Sequence, residues 1–387
     1  MYKYHCLNNI SKVINNVFDE NYEPVEEPEK ADAILVRSAK MHDMEFGDEL
    51  LAISRAGTGV NNIPLDRCAE NGIVVFNAPG ANANSVKELV LASLINASRN
   101  IPDAIKWVRD NYDNDNIAKD MEKAKKAYVG KELLGKKLGV IGLGAIGGMV
   151  ANACDKLGMD VMGIDPFLSV NNALMLSRKV KVVKTYDEIY KKCDYIYVQV
   201  HLTDKTRGMI GADAFSKMKR GAILLNFSRG EVVDNAALKD AIDSGKLGKY
   251  VTDFPDPEVV KMKNVIATPH LGASTGEAEE NCAKMAAEEI RDYLENGNIT
   301  HSVNLPDCDA GICEADSRIS IIHENKPNML TQFTQVMGDN DVNIAHLTNK
   351  SKDEYAYCVF DTDSDVTDKM VDKLNAIDGV IRVRVIK

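Results

Sequence analysis

Residues 138–147 read LGVIGLGAIG. The apolar run LGVI reads as a buried strand that passes directly into Gly142, Gly144 and Gly147, after which apolar residues at helical spacing predict a helix over 145–157. In that context each glycine has a task. The first permits a tight turn, the second lets the backbone approach a pyrophosphate, and the third lets helix and strand pack closely. The helix start, with Ala145 and Ile146 in its first turn, turns amides and the positive dipole end toward phosphates. The next strand, MDVMGID, ends at Asp165, where a carboxylate can accept hydrogen bonds from an adenosine ribose and repel the extra phosphate of NADP. No arginine follows it at once, so the expected cofactor is NAD. An ordinary tight turn followed by a solvated aspartate is the competing explanation. Strand, glycines, helix and acid in one register count against it.

Working outward, further strands are expected within CDYIYVQV (193–200), GAILLNFS (221–228), YVTDFP (250–255) and NVIATPH (264–270), the rhythm of a doubly wound parallel sheet. Upstream, YKYHCL (2–7), ADAILVRSA (31–39), LLAISRAG (50–57) and GIVVFNAPG (72–80) alternate with helical stretches and imply a second α/β layer. From Ser85 to about Trp107 the spacing predicts one long helix capped by Ser85. A Lys-rich passage ending in VGKELLGKK (129–137) reads as a surface excursion, and 277–297 reads as another long helix. The segment 298–316 is rich in turn formers and reads as a linker. The remainder runs strand, helix, strand, strand, helix, strand, the ferredoxin-like split arrangement.

At roughly 150 residues per domain, a chain of 387 residues implies two or three domains. Its 47 Lys and Arg against 58 Asp and Glu leave a formal charge of −11, which argues against a nucleic-acid partner. A few local cations can still hold a small anion. With 45% hydrophobic and 27% charged residues the chain has an ordinary globular composition, which excludes wholesale disorder. No run approaches about 18 apolar residues, and MYKYHCLNNISK lacks the apolar core of a secretory signal, so no membrane partner and a cytoplasmic location are expected. The 8 cysteines form no CxxC pair or Cys/His cluster, so reduced thiols and no metal site are expected.

Three further features lie near the carboxyl ends of predicted strands, where such sheets bind ligands. LLNFSRGEVVD places Arg229, YVTDFPDP places Asp253 and Asp256, and TPHLGAST places His270. A hydride acceptor needs a partner that takes the hydroxyl proton, and histidine suits that at neutral pH. A neighbouring acid orients the ring and stabilises the imidazolium, and an arginine offers a forked grip on a substrate carboxylate. Each residue alone has a bland alternative in a turn, a strand end or a solvated loop.

RAGTGVNNI, FNAPGANANSVKE, LGVIGLGAIG, LLNFSRGEVVD and NVIATPHLGAST resemble the D-isomer-specific 2-hydroxyacid dehydrogenases, most closely those acting on 3-phosphoglycerate. The resemblance implies oxidation of 3-phosphoglycerate to 3-phosphohydroxypyruvate with reduction of NAD, the entry step of serine synthesis. It implies that Arg229 binds the substrate carboxylate and carbonyl oxygen and that His270 is the acid/base. Phe227, Ser228, Asp253 and Gly272 fall at cofactor positions. The family's acid beside the histidine is a Glu before Pro; here the loop is about one residue shorter and Asp256 precedes Pro257, which makes Asp256 the candidate. Arg37 and Ser38 match positions that meet the substrate phosphate, the amides of Thr58 and Gly59 match the carboxylate site, and Asn82 adds a polar contact. Arg55 is a further nearby cation; Lys125, Lys126 and Lys131 offer another, across a subunit boundary, beside their blander reading as a solvated face.

The family arrangement implies a flavodoxin-like substrate domain of residues 1–98 and 271–306 around an inserted Rossmann-type cofactor domain, 99–270. A linker at 307–317 then leads to 318–387, where RISIIHENKPNML and DVNIAHL resemble the ACT domain, an amino-acid-sensing module that pairs across subunits. His323, Asn325 and Asn343 match its L-serine contacts. Asn328 stands where that family has Gly, and Asn tolerates the same left-handed backbone best among other residues. The expected assembly is a homodimer or homotetramer. Two other readings stand beside this one: a dehydrogenase of another 2-hydroxy acid such as glycerate, glyoxylate or 2-hydroxyglutarate, which needs no Arg37, and a dinucleotide-sensing corepressor-like scaffold, which needs neither Arg229 nor His270.

Overall fold

The computed structural model describes residues 1–387. Two compact units emerge, 1–81 with 279–387, and 82–278. The first unit contains a parallel sheet of β1 (Tyr2–Cys6), β2 (Tyr22–Pro24), β3 (Ala33–Val36), β4 (Ala52–Arg55) and β5 (Val74–Asn77) in the order β2-β1-β3-β4-β5. This is the flavodoxin-like order. Every residue of β3 is buried, which explains why its sequence is a continuous apolar run rather than an alternating one.

The second unit carries β6 (Lys137–Ile141), β7 (Asp160–Ile164), β8 (Lys181–Val182), β9 (Tyr195–Val198), β10 (Ala222–Asn226), β11 (Leu247–Thr252) and β12 (Val265–Ala267). Their order, β12-β11-β10-β9-β6-β7-β8, reverses direction beside β6. In a doubly wound sheet that switch point opens the ligand crevice at the carboxyl ends of the strands. Compactness breaks the chain after Ala81 and after Ala278, rather than near 98 and 270, because the helix Ala83–Arg99 sends Val86, Val90 and Leu94 into the core around β6.

The expected single helix from Ser85 to Trp107 is two helices, Ala83–Arg99 and Ile101–Asp110. Asn100, at φ 54°, takes the left-handed geometry that closes a helix, and Pro102 then starts the next one. Ser85 is not the cap. It lies in the first turn after Asn82 and donates its hydroxyl to the Gly272 carbonyl at 2.6 Å. The Lys-rich passage contains a further helix, Ile117–Ala124, and none of the residues of Ile101–Asp110 or Ile117–Ala124 is buried.

The C-terminal module, in the first unit, consists of β13 (Ser317–Glu324), β14 (Ile344–Lys352), β15 (Tyr355–Thr362) and β16 (Val380–Val385), antiparallel in the order β14-β15-β13-β16, with helices Met329–Gly338 and Asp368–Asn375. The ferredoxin-like plan is therefore present. Asn328 has φ 68°, the left-handed position where a glycine is otherwise favoured. The segment at 307–317 is pinned: Ile299 and Cys308 exchange backbone hydrogen bonds, and Cys308 is buried. Arg318 donates to the carbonyls of Asn296, Gly311 and Ala310 and to the Asp361 carboxylate, while Arg382 donates to those of Leu50, Asp48 and Asn71. These basic side chains supply donors to carbonyls that the flanking elements leave open. All eight cysteines are free thiols, and no helix is long and apolar enough to cross a membrane.

Candidate active site

The turn after β6 has the geometry that its glycines imply. Gly142 has φ 96°, and a Cβ there would lie 2.1 Å from the Gln199 carbonyl oxygen; a Cβ on Gly147 would lie 1.9 Å from that of Gly142. Both positions exclude any larger residue. Gly144 faces open space, with no atom within 4 Å of the place a Cβ would take, at the N-terminus of the helix Ala145–Lys156. Asp165 accepts hydrogen bonds from the amides of Leu143 and Phe167 at 2.9 Å, so the acid at the end of β7 also holds the glycine turn in place. A carboxylate has about four acceptor sites, so these two bonds leave it capacity for a diol.

Arg229 follows β10. Asn226, buried at that strand's end, donates to the Arg229 carbonyl and accepts from the Ser228 amide and hydroxyl, which fixes the turn; Phe227 and Ser228 are themselves buried. The Arg229 guanidinium lies 5.3 Å from the centre of the Phe254 ring, and the His270 ring lies 4.3 Å from the same ring. Phe254 thus bridges the arginine and the histidine. Beneath them, Asp253 is 1% exposed, and its Oδ2 accepts the Gly272 amide at 3.0 Å while Oδ1 is buried without a partner. Burial pushes the Asp253 carboxyl above its ordinary range, against the Gly272 N–H, His270 and Arg229, which favour its anion.

Asp256, expected beside His270, is engaged elsewhere. It accepts the Glu258 and Val259 amides and the Asn235 side chain at 2.8 to 2.9 Å, so it caps the short turn Val259–Lys261. Burial raises its carboxyl, but those bonds outweigh burial and hold it below the usual range. The acid in the field of His270 and Arg229 is Asp253.

In the first unit, the Asn8 side-chain oxygen accepts the amides of Arg37, Ser38 and Ala39, and Arg37 forms an ion pair with Glu279 at 2.6 Å. Thr58 and Gly59 lie in the loop after β4, where Asn77 donates to the Thr58 carbonyl. Asn82 belongs to the second unit, and its side-chain oxygen is buried without a partner. Lys125 is paired with Glu122, and Lys126 and Lys131 are exposed. In the module, His323 is buried and contacts the Glu324 carbonyl and Asn349; Asn325 lines a cavity of about 550 Å³ with Glu324, Lys326 and Tyr355. Asn343 is bonded to Asp363, at the opposite end of β15 from Ala356, the neighbour of His323, so one chain does not gather the three. Asn226, Asn8 and Glu279 are not among the residues that the sequence motifs mark as candidates. An Asn before Ser-Arg-Gly at a strand end is a recognisable turn signal; Asn8 and Glu279 carry no comparable local mark.

The sequence model of the family described as D-isomer specific 2-hydroxyacid dehydrogenase, NAD binding domain, matches residues 91–272. The chain is 34% identical over 354 residues to the D-3-phosphoglycerate dehydrogenase of Haemophilus influenzae, across 89% of this chain and 83% of that one. It is 39% identical over 294 residues to the D-3-phosphoglycerate dehydrogenase of Archaeoglobus fulgidus, across 73% of this chain and 53% of that longer relative. Among solved structures, the NAD+-bound 3-phosphoglycerate dehydrogenase of Entamoeba histolytica matches with a TM-score of 0.62 at 28% identity, across 78% of this chain and 98% of that one. The chain belongs to the D-isomer specific 2-hydroxyacid dehydrogenase family.

Proposed function

We propose that this chain oxidises 3-phosphoglycerate to 3-phosphohydroxypyruvate with NAD, the first step of serine synthesis. The observation that carries the reading is the Arg229–Phe254–His270 assembly over a buried Asp253. The cofactor fits: Gly144 faces open space at a helix start, Asp165 keeps acceptor capacity, and the unpaired Asp253 oxygen lacks a donor that a carboxamide would supply. Gly142, Gly144, Gly147 and Asp165 would hold the adenine-side half, with Phe227, Ser228, Asp253 and Gly272 at the other. NAD held there would supply the acceptor for the hydride that leaves C2 of the substrate. Arg229 pairs with the substrate carboxylate and polarises the C2 oxygen. The hydroxyl proton passes to an imidazole nitrogen of His270 as the carbonyl forms, and Asp253 stabilises the imidazolium so produced. Asp253 thus takes the role first expected of Asp256.

Arg37 supplies the cation that a phosphate needs and a neutral tail does not, with Ser38 and Arg55 beside it, Thr58 and Gly59 at the carboxylate, and Asn82 as a polar contact. Steady-state rates for 3-phosphoglycerate and glycerate, each with NAD and with NADP, test the reading. A strong preference for the phosphorylated acid with NAD supports it; equal efficiency for both acids overturns it.

The assembly belongs to the same reading. The unburied helices Ile101–Asp110 and Ile117–Ala124 and the turn between them expose Ile105, Val108, Tyr112 and Met121, an apolar surface suited to a second copy. An antiparallel two-fold pairing along the open edge of β14 brings Asn343 of one module toward the opposite end of the other, where His323 and Asn325 lie. This supports an ACT-type L-serine site completed across subunits in a homodimer or homotetramer. A serine titration of activity, with Asn343→Ala alongside, tests it, and a flat response removes the effector. Free thiols throughout are in keeping with a cytoplasmic location.

A further inference from the structure

In the first unit, the chain leaves β3 into a turn whose three amides, from Arg37, Ser38 and Ala39, all converge on the Asn8 side-chain oxygen at 2.9 to 3.1 Å. That turn sets the direction of the Arg37 side chain. Arg55, at the end of β4, donates through Nε to the Arg37 carbonyl at 2.9 Å, and its Nη1 lies 2.8 Å from where a Cβ on Gly57 would stand. Two guanidinium groups therefore belong to one corner of the sheet. Across from them, Glu279 on the helix Gly276–Asn296 binds Arg37 Nη2 through Oε1 at 2.6 Å, and both line the same small pocket as Ser11 and Ala56. The pair is 40% and 44% exposed, so as a stabilising contact it contributes little. Its effect on a ligand is another matter.

We propose that Glu279 is a specificity-tuning counter-ion, which occupies Arg37 in the free protein and is displaced by the phosphate of the substrate. This rests on the phosphorylated-substrate reading above. A carboxylate carries one negative charge and a phosphate monoester nearly two, so only the more highly charged group wins the guanidinium. Glu279 then does two things. It keeps weaker anions off Arg37, and it raises the KM of the phosphorylated substrate by repelling the group that replaces it.

The test is Glu279→Gln, which keeps the size and removes the charge. A unit charge about 4 Å away in water is worth a change of roughly fivefold, so the KM for 3-phosphoglycerate falls about three- to tenfold with kcat moved far less, and the Ki of inorganic phosphate falls in proportion. The effect shrinks at about 0.5 M salt, as a role in packing alone would not. Glu279→Asp keeps the charge and does not lower KM. Thermal melting of both variants confirms that they fold. An unchanged or higher KM in Glu279→Gln, in an enzyme that still prefers 3-phosphoglycerate to glycerate, overturns the counter-ion and leaves the substrate reading standing. A wild-type enzyme that treats the two acids alike overturns both.

Discussion

At the carboxyl edges of the two parallel sheets, the charged groups that the proposed reaction uses differ in how they are partnered. At the seven-stranded sheet, Asp253 Oδ1 and Thr268 Oγ1 are buried without partners, and Gly144 faces open space. At the five-stranded sheet, Arg37 is paired with Glu279, its carbonyl with Arg55 and the Thr58 carbonyl with Asn77, although Asn62 Oδ1, in the loop after β4, is buried without a partner. Leaving a buried acceptor unpaired costs roughly 1–3 kcal/mol, a cost that a ligand able to donate there removes. A satisfied, exposed ion pair costs almost nothing and must be exchanged rather than completed. In the proposed reaction, the chemistry uses an unpaired oxygen at Asp253 and recognition exchanges a partner at Arg37.

The largest expected effect breaks the first half of this contrast. His270→Gln lowers kcat by roughly 10²- to 10⁴-fold, with KM moved far less, because the proton loses its acceptor while Arg229 is untouched. Next come the two aspartates three positions apart. Asp253→Asn costs roughly 10²-fold in kcat and alters the pH profile of turnover, whereas Asp256→Asn leaves that profile in place. If Asp256→Asn proves the more damaging of the two, the bonds that tie Asp256 to Val259, Glu258 and Asn235 do not describe the working enzyme.

A fourth substitution probes the five-stranded side. Glu289 is buried against Ser54 and His301, and burial pushes its carboxyl up to about 9, the Ser54 hydroxyl opposing. Its folded value lies above the unfolded one, so the stability it contributes is complete below about pH 4.3 and is lost as pH rises toward 9. Glu289→Gln removes that slope. Its melting temperature therefore gains on wild type between pH 5 and pH 8, by the equivalent of up to about 4 kcal/mol across that range. A difference independent of pH contradicts the buried-proton account. The smallest effect is structural: Asp256→Asn weakens a capped turn and costs about 1 kcal/mol of stability by thermal or denaturant melting.

Much of the architecture is legible in local patterns. The glycine spacing around β6, the continuous apolar strands and the six-element plan of the module are properties of neighbours in sequence, and the backbone obeys them wherever it goes. Where local patterns compete, prediction fails at identifiable residues. The apolar spacing across 85–107 is continuous, yet Asn100 and Pro102 break the helix, because a left-handed residue before proline cannot be bridged by hydrophobic periodicity. Arg382 and Arg384 alternate with valines in β16 and look solvent-facing, yet they supply donors to carbonyls of Leu50 and Leu294 far away in sequence.

Residue type and spacing are enough to single out Arg229, His270, Asp165 and the three glycines as candidates, because a nucleotide turn and a hydride-transfer site demand those groups at strand ends. Which acid serves the histidine is a different kind of question. Asp253 and Asp256 share a loop and a side chain, and they differ only in burial and in which amides reach them. The pairing of Arg37 with Glu279 likewise joins residues hundreds of positions apart. Charge, desolvation and partner identity are settled by distance in space, so these assignments exist only once the chain has folded.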